Sequence, residues 1–312
     1  MQQKRALKHK TGRRQALYTI LLLLSPALIT VFVFYVIPVL LTIAMSLTNM
    51  DYRLRWDFVG VNNFLKMSKD FLLPRILRVT LLYVVGTLGL FNVTLGLILA
   101  LVTTSVGERT GKFFRSLWLL PRFTPPIVYG TIWLWILDPT RTGFLNSLRG
   151  VFGWPPIDWI FNYPIWVIIV TNGIIGASFG MLILTAAIRS IPQELHWAAQ
   201  VDGAGWLQDI RYVTLPQLRW PLLFITAYQT LSLLTSYEYI LIITKGGPYF
   251  ASTVWSLYSY NLCFGGYYAA YQFGYGAALS LVLVVIGAVA SIVYWRVFRF
   301  RQMLAEPAIE VV

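Results

Sequence analysis

Few residues in this chain are equipped for covalent chemistry. Its 312 residues include one cysteine, Cys263, and two histidines, His9 and His196, far apart in the sequence. A single cysteine excludes an intramolecular disulfide, and there is no Cys-x-x-Cys pair for metal or redox work. No Ser-His-Asp set, carboxylate cluster or metal-ligand spacing is present, so no catalytic residue and no metal site are assigned. The stretch VGERTGK at 106–112 approaches the phosphate-loop pattern GxxxxGK[ST]. Only three residues separate Gly107 from Gly111, however, and Phe113 stands where Ser or Thr is required. It reads as chance similarity in a short turn.

Two other groups of residues could recognise something. The first is SIPQELHWAAQVDGAGWLQDIRYVTLP, residues 190–216, too polar to cross a bilayer yet regular in pattern. Ser190 can cap a helix, Gln193 holds the capping-box position, and Pro192 is tolerated in a first turn. Leu195, Ala198, Ala199 and Val201 supply a small apolar surface. Asp202–Gly203–Ala204–Gly205 then breaks the helix, glycine reaching the left-handed conformation that a tight reversal needs. A second helical piece, WLQDIRYV, leads to Pro216. The second group lies in the apolar stretch that follows. At about 100° per residue, Tyr228, Ser232, Thr235 and Tyr239 share one helical face. Gln229 and Ser236 flank it on one side and Glu238 on the other. Unpaired polar groups in hydrocarbon are costly, and a charge near the bilayer centre costs about 2.5–3.5 kcal/mol even on mild scales. The stripe is expected to face a water-filled pathway, to bond to neighbouring helices, or to lie near the outer interface. Asn172 and Ser178 are weaker candidates for an opposite wall.

The elements that must position these groups are membrane spans. The chain is 57% hydrophobic and only 12% charged, about half the charged share of a soluble domain. Six stretches are apolar and long enough to span: about 17–46, 79–104, 114–137, 163–188, 220–244 and 272–298. The first is much longer than the apolar core of a cleavable signal. The net charge of +13 follows membrane topology rather than a nucleic-acid-binding face, because the basic residues cluster beside apolar runs. Six Lys/Arg fall in the first 14 residues, Arg109, Lys112 and Arg115 flank the second connection, and Arg296, Arg299 and Arg301 follow the last span. Opposite connections are poorer, with Arg141 and Arg149 in one and Lys245 in another. The long first external loop dissents, since Arg53, Arg55, Lys66, Lys69, Arg75 and Arg78 outnumber Asp51, Asp57 and Asp70. The positive-inside rule places both termini and the loop 189–219 in the cytoplasm. Gly176 and Gly180 form a GxxxG pair read as a packing face. Pro38, Pro121, Pro125 and Pro126 can bend helices. The aromatic residues of the last external loop (Tyr249, Phe250, Trp255, Tyr258, Tyr260, Tyr267, Tyr268 and Tyr271) form either an interfacial belt or a docking surface.

The segment 190–216 resembles the cytoplasmic coupling signature of permease subunits in binding-protein-dependent ABC importers. Ala198, Ala199, Gly203, Leu215 and Pro216 fall in register with Glu-Ala-Ala, three residues, Gly, and a distal Ile-x-Leu-Pro, inside the longer sugar-permease form IPxEL…AAxxDGA…TLP. Val213 takes the Ile position, and Trp197 stands where the signature has Glu. LPRFTPPIVYGTIWLWILDP, GFLN (143–146), TKGGP (244–248) and FGYGAALS (273–280) resemble further motifs of the maltose-type sugar permeases, in the first of their two paired subunits.

The resemblance implies an all-α polytopic permease of the type I ABC importer fold in a bacterial or archaeal cytoplasmic membrane. It implies a second permease subunit as heterodimer partner and two cytoplasmic ATPase subunits that hold ATP and Mg. It further implies an extracytoplasmic solute-binding protein that delivers a sugar, with no cofactor on this chain. The coupling contacts it implies are Glu194, Trp197, Ala198, Ala199, Asp202, Gly203, Ala204, Leu215 and Pro216. Either the partner cleft matches Trp197 or Glu194, one turn earlier, supplies the missing charge. The alternative is an ion-gradient-driven carrier acting alone. Such carriers use several intramembrane carboxylates or histidines as relays, whereas this chain has one clear intramembrane acid, Glu238, and no pronounced internal repeat.

Overall fold

A computed structural model describes residues 20, 22–265 and 271–297. The basic N-terminal residues, Tyr267, Tyr268, Arg299 and Arg301 lie outside the described residues, and with them the placement of both termini. The chain folds as packed helices, and the described residues carry only an isolated antiparallel bridge between Thr48 and Phe58. Among the described residues, four helices are long and apolar enough to cross a membrane: Leu22–Ser46, Leu73–Ser105, Pro164–Arg189 and Phe273–Tyr294. They are called here the first, second, fourth and last spans. The second begins at Leu73, earlier than its apolar run, because Pro74 suits a first turn where its missing N–H is harmless.

The third and fifth apolar stretches are each folded as two helices. In the third, Glu108–Phe123 is followed by Pro126–Ile136. Pro125 and Pro126 each force the residue before them out of the helical region, Thr124 taking ψ 129 and Pro125 ψ 141, whereas Pro121 stays inside the first helix. The tandem prolines therefore stop one helix and start the next. The fifth breaks between Arg219–Thr235 and Glu238–Ile243, at Ser236 and Tyr237, with neither proline nor glycine nearby.

The fourth span is the axis of the molecule, with 72% of its most apolar window buried. Its Gly173–Gly180 face meets the second span, which widens into π-helical turns over Thr87–Leu95. A Cβ at Gly173 would meet the Phe91 ring, one at Gly176 the Asn92 amide, and one at Gly180 the Asn92 carbonyl oxygen. Gly96 lies so close that its Cβ would stand 3.1 Å from the Gly180 Cα. Packing is thus what the GxxxG pair does here, since backbone-to-backbone approach leaves room for no side chain. Val79, Tyr83, Val84, Ile168, Ile169, Leu233, Ile240, Val254 and Leu257 close the core between the second, fourth and fifth stretches.

The two ends are tied differently. At one, Asp70 Oδ2 accepts from Tyr258 Oη at 2.7 Å and Tyr275 Oη at 2.8 Å, joining the first loop, helix Trp255–Phe264 and the last span. Lys66 lies over the Tyr275 ring at 4.3 Å, and burial pushes its ammonium below the usual range against the pull of Asp70. The TKGGP motif makes the turn between the fifth stretch and helix Trp255–Phe264. Gly246 takes φ +83, and its carbonyl accepts from Thr253 Oγ1 at 2.8 Å. At the other end Lys112 and Glu108 pair at 2.7 Å on the surface, and the Lys112 ammonium holds the Glu108 carboxyl below the usual range.

The glycine contact makes a direct prediction. Gly180→Val drives a side chain into main chain that cannot swing aside, and is expected to destabilise the protein by about 1–3 kcal/mol or more. Gly150, in helix Phe144–Val151, has nothing within 4 Å of its Cβ position, so Gly150→Ala should be neutral. Thermal unfolding of the purified variants reads both; equal midpoints for the two would remove the glycine face from the packing argument.

Candidate functional site

Residues 190–218 form a compact loop beneath the fourth and fifth stretches. Ser190 still belongs to the fourth span: its hydroxyl bonds back to the Ala187 carbonyl at 2.8 Å instead of capping the next helix. Helix Gln193–Val201 starts from Pro192, whose ψ of 133 supplies the extended cap. It ends in a glycine-closed C-cap. Gly203, at φ +80, donates to the Gln200 carbonyl, and the Ala204 N–H donates to the Ala199 carbonyl at 2.9 Å. A second short helix, Trp206–Asp209, runs on through a π-helical turn, Ile210–Thr214, and the turn Leu215–Gln217. His196 Nδ1 meets Asp209 Oδ1 at 2.8 Å and clasps the two short helices together.

The loop is anchored at its base and bare at its tip. Leu218 is fully buried with Ala100, Leu184 and Ile225. Leu215, Pro216, Ala199 and Ala204 are half-buried, whereas Glu194, Ala198, Asp202 and Gly203 are exposed. Trp197, Val201, Trp206 and Leu207 are 57%, 88%, 62% and 72% exposed. Four large apolar side chains are thus bare at the tip of one small element. Nothing lies within 4 Å of the Cβ position of Gly203. Within this chain its glycine is required by backbone conformation alone.

The break in the fifth stretch re-aims the polar stripe. Ser236 Oγ accepts from Asn172 Nδ2 at 3.0 Å, and its carbonyl accepts from Ser256 Oγ at 2.8 Å. Asn172 Nδ2 also donates to the fully buried Tyr83 hydroxyl. The stripe expected as one face therefore divides. Tyr228, Ser232, Thr235 and Glu238 are exposed, Tyr239 is half-buried, and Ser236 is turned inward, half-buried against the fourth span. Asn172 is buried and committed to this cluster. Ser178 is fully buried, and its hydroxyl bonds to the Ile175 carbonyl of its own helix at 2.6 Å. In this conformation neither side chain forms an open wall opposite the stripe. Gln229 Nε2 bonds to the Gly176 carbonyl at 3.0 Å and is likewise internal.

Aromatic rings frame the exposed part. Tyr228 stacks on Phe179 of the fourth span at 4.8 Å between centroids, and Tyr239 meets Tyr129 edge-on at 5.6 Å. The Tyr129 hydroxyl donates to the Thr171 carbonyl at 2.7 Å, which fixes that ring. Above Phe179, at 5.1 Å, lies the guanidinium of Arg122, two residues before the break in the third stretch. A separate cavity of about 480 Å³ lies between the fifth stretch, helix Trp255–Phe264 and the last span. Thr235 is the one stripe residue that reaches it, among mostly apolar neighbours. Most of the stripe thus opens off the chain's own surface rather than into an enclosed pocket.

Sequence reasoning missed Arg122, Phe179, Tyr129 and the His196–Asp209 clasp. Arg122 carried a readable signal, a charge well inside an apolar run whose other charge, Arg115, lies at its start. The aromatic partners carried none, because rings in a spanning helix are ordinary.

A multi-pass helical membrane protein with broken third and fifth stretches and a bare loop beneath them is the class that this architecture defines. The chain belongs to the family of binding-protein-dependent transport system inner membrane components, whose model matches residues 92–300. It is 30% identical over 287 residues, 90% of this chain and 94% of the relative, to the trehalose/maltose transport system permease protein MalF of Thermococcus litoralis. It is 29% identical over 300 residues, 94% of each chain, to a probable ABC transporter permease protein of Sinorhizobium fredii. A solved bacterial alginate ABC transporter, in complex with an alginate-pentasaccharide-bound periplasmic protein, has a chain of the same fold: TM-score 0.78 at 22% identity, covering 95% of this chain and 98% of that one.

Cysteines placed at 228 and 235 are therefore expected to react with a water-soluble thiol reagent at least several-fold faster than one at 233, since Leu233 is buried against the core. Position 239 should be intermediate. Faster labelling at 233 than at 235 would contradict the division of the stripe.

Proposed function

We propose that this chain is one membrane subunit of an ATP-driven sugar importer. It lies in the cytoplasmic membrane of a bacterium or archaeon, crossing it six times with both termini inside. A second permease completes the pathway, two cytoplasmic ATPase subunits hold ATP and Mg, and an external solute-binding protein delivers the sugar. This chain itself performs no hydrolysis and takes no metal or cofactor. Family membership and the trehalose/maltose relative support the sugar reading. They leave the alternative of a lone ion-gradient carrier without support, and that carrier would give the bare loop no task.

The observation that carries the proposal is the exposed Trp197, Val201, Trp206 and Leu207 on a loop rooted in the fifth stretch through Leu218. Trp197, with Glu194, Ala198, Ala199 and Asp202 around it, forms the face that enters an ATPase cleft. Large apolar side chains of this kind often dominate interface energies. Gly203 and Ala204 set the sharp reversal, and Leu215 and Pro216 pass movement of the loop to the fifth stretch. Tyr228, Ser232, Thr235, Glu238 and Tyr239 line the sugar pathway, with Ser236, Asn172 and Ser178 behind them as support.

Gly203→Asp is expected to leave insertion intact. A non-glycine residue at that φ costs about 1–2 kcal/mol, and the charge adds an obstacle at the partner surface. Stimulation of ATP hydrolysis by the sugar-loaded binding protein should fall at least tenfold. Trp197→Ala should weaken retention of the ATPase subunits by about 2 kcal/mol, roughly thirtyfold. Full stimulation in the first variant, together with undiminished co-purification in the second, would refute the coupling role.

A further inference from the structure

Between the third stretch and the fourth span, residues 138–163 fold over the end of the molecule opposite the 190–218 loop. Helix Phe144–Val151 lies there, pinned by the buried Asn146. Asn146 Nδ2 donates to the Asp138 and Ile157 carbonyls at 2.9 Å, and its Oδ1 accepts from the Ile157 N–H and Trp159 Nε1. Leu145 rests on the cluster of Leu137, Val167 and Ile243. Leu137 closes the last turn of the third stretch, and Val167 lies in the first turn of the fourth span. The helix therefore sits at the level where those elements leave the hydrocarbon.

At about 100° per residue this helix divides into three sectors. Leu145, Asn146 and Arg149 face inward. Phe144, Leu148 and Val151, with Phe152 just past the end, form an exposed apolar sector. Ser147 and Gly150 form the third, which borders a cavity of about 570 Å³. Arg141 and Trp154 also line that cavity, and no carboxylate does. Ring contacts join the parts. Phe152 lies 5.5 Å from Trp154 of the cavity, and Phe144 lies 6.0 Å from the exposed Trp135 of the third stretch. The Arg149 guanidinium lies over Trp154 at 5.4 Å and over Trp159 at 5.7 Å. Both acids of the segment are spent on backbone, Asp138 accepting from the Thr140 N–H and Asp158 from the Phe161 N–H. Neither Arg141 nor Arg149 has an ion-pair partner within 4.0 Å among the described residues.

Two unpaired cations beside a bare apolar sector at this depth narrow the choice of ligand. A sugar would leave the apolar sector wet, and a neutral lipid would leave the charges unanswered. A protein docking from the aqueous side would leave Trp135, on the spanning stretch, uncovered. An anionic phospholipid answers all three: its phosphate accepts from the guanidinium fork in charge-assisted bonds, and its acyl chains cover Phe144, Leu148 and Trp135. Helices with an apolar face and a basic rim lie in the headgroup plane in this way. We propose that the cavity and the bare sector of helix Phe144–Val151 form a binding site for an anionic phospholipid, with the phosphate at Arg141 and the charge of Arg149 adding to the attraction. The site requires only that the chain lie in a membrane, and stands whatever solute is carried.

The test uses the assembled transporter in phosphatidylcholine nanodiscs, with Cys263→Ser as background and Leu148→Cys carrying a bimane fluorophore. A trace of spin-labelled lipid quenches the probe, its headgroup either phosphatidylglycerol or phosphatidylcholine and its acyl chains the same. Phosphatidylglycerol should quench roughly fivefold more effectively at equal amount. Arg141→Gln should bring the two lipids close to equal, and Arg141→Lys should keep most of the preference. Arg109→Gln, at the other end of the molecule, should leave it unchanged. Equal quenching by the two lipids in the parent refutes anionic selection. A preference that survives Arg141→Gln refutes the cavity as its source. No quenching by either lipid shows that protein, the second permease or the binding protein, covers the sector, and overturns the lipid site.

Discussion

A bilayer offers no water to a freed carbonyl, so a helix can stop inside it only where the protein supplies the missing partners. Ser236 is that place. Its carbonyl is met by Ser256 and its hydroxyl by Asn172, which is held in turn by Tyr83. Partners on the second span, the fourth span and helix Trp255–Phe264 thus converge on one residue of the fifth stretch. The convergence is possible because the glycine face of the fourth span lets the second approach to backbone contact. The break allows Glu238 and Tyr239 to leave the line of the helix below, so the direction of the proposed pathway residues follows from it.

The same stretch joins the two ends of the account. Helix Arg219–Thr235 is rooted at Leu218, beside the bare loop, and ends at the caged break. A continuous helix is a stiff element, so displacement of the loop would reach Thr235 with little loss. The break is the joint at which that displacement can turn into a change of orientation. The third stretch is jointed in a similar way by its tandem prolines, and Arg122 sits beside that joint.

The two breaks also show what can be read from sequence. The break in the third stretch is legible, because Pro125 and Pro126 act on their immediate neighbours through sterics alone. Gly203 is legible for the same reason, since a left-handed residue after a short helix is a local requirement. The break at Ser236 is not, because Thr235, Ser236 and Tyr237 disfavour a helix only weakly and no proline or glycine stands beside them. It exists through partners drawn from up to 153 positions away, Tyr83 being the farthest. A periodicity that treats 220–244 as one helix therefore groups Tyr228, Ser232, Thr235 and Tyr239 on a single face that the folded chain divides. Asn172 and Ser178 illustrate the same limit: both are polar residues in a spanning helix, and the structure commits both to internal bonds. The motif singled out Trp197 at the tip of the loop, although it did not reveal that Trp206 and Leu207 are exposed there as well.

The central claim is that ATP binding by partner subunits, acting through the 190–218 loop, switches which side of the membrane reaches the face at the break. The most direct measurement is the accessibility of a cysteine at position 235, in the Cys263→Ser background, to a membrane-impermeant thiol reagent added from the external side. It would be made on the assembled transporter in proteoliposomes, without nucleotide and then trapped with ATP and the loaded binding protein. The account predicts slow labelling without nucleotide and at least tenfold faster labelling in the trapped state, with Gly203→Asp abolishing the change. Identical rates in the two states, with normal ATP binding, would contradict it.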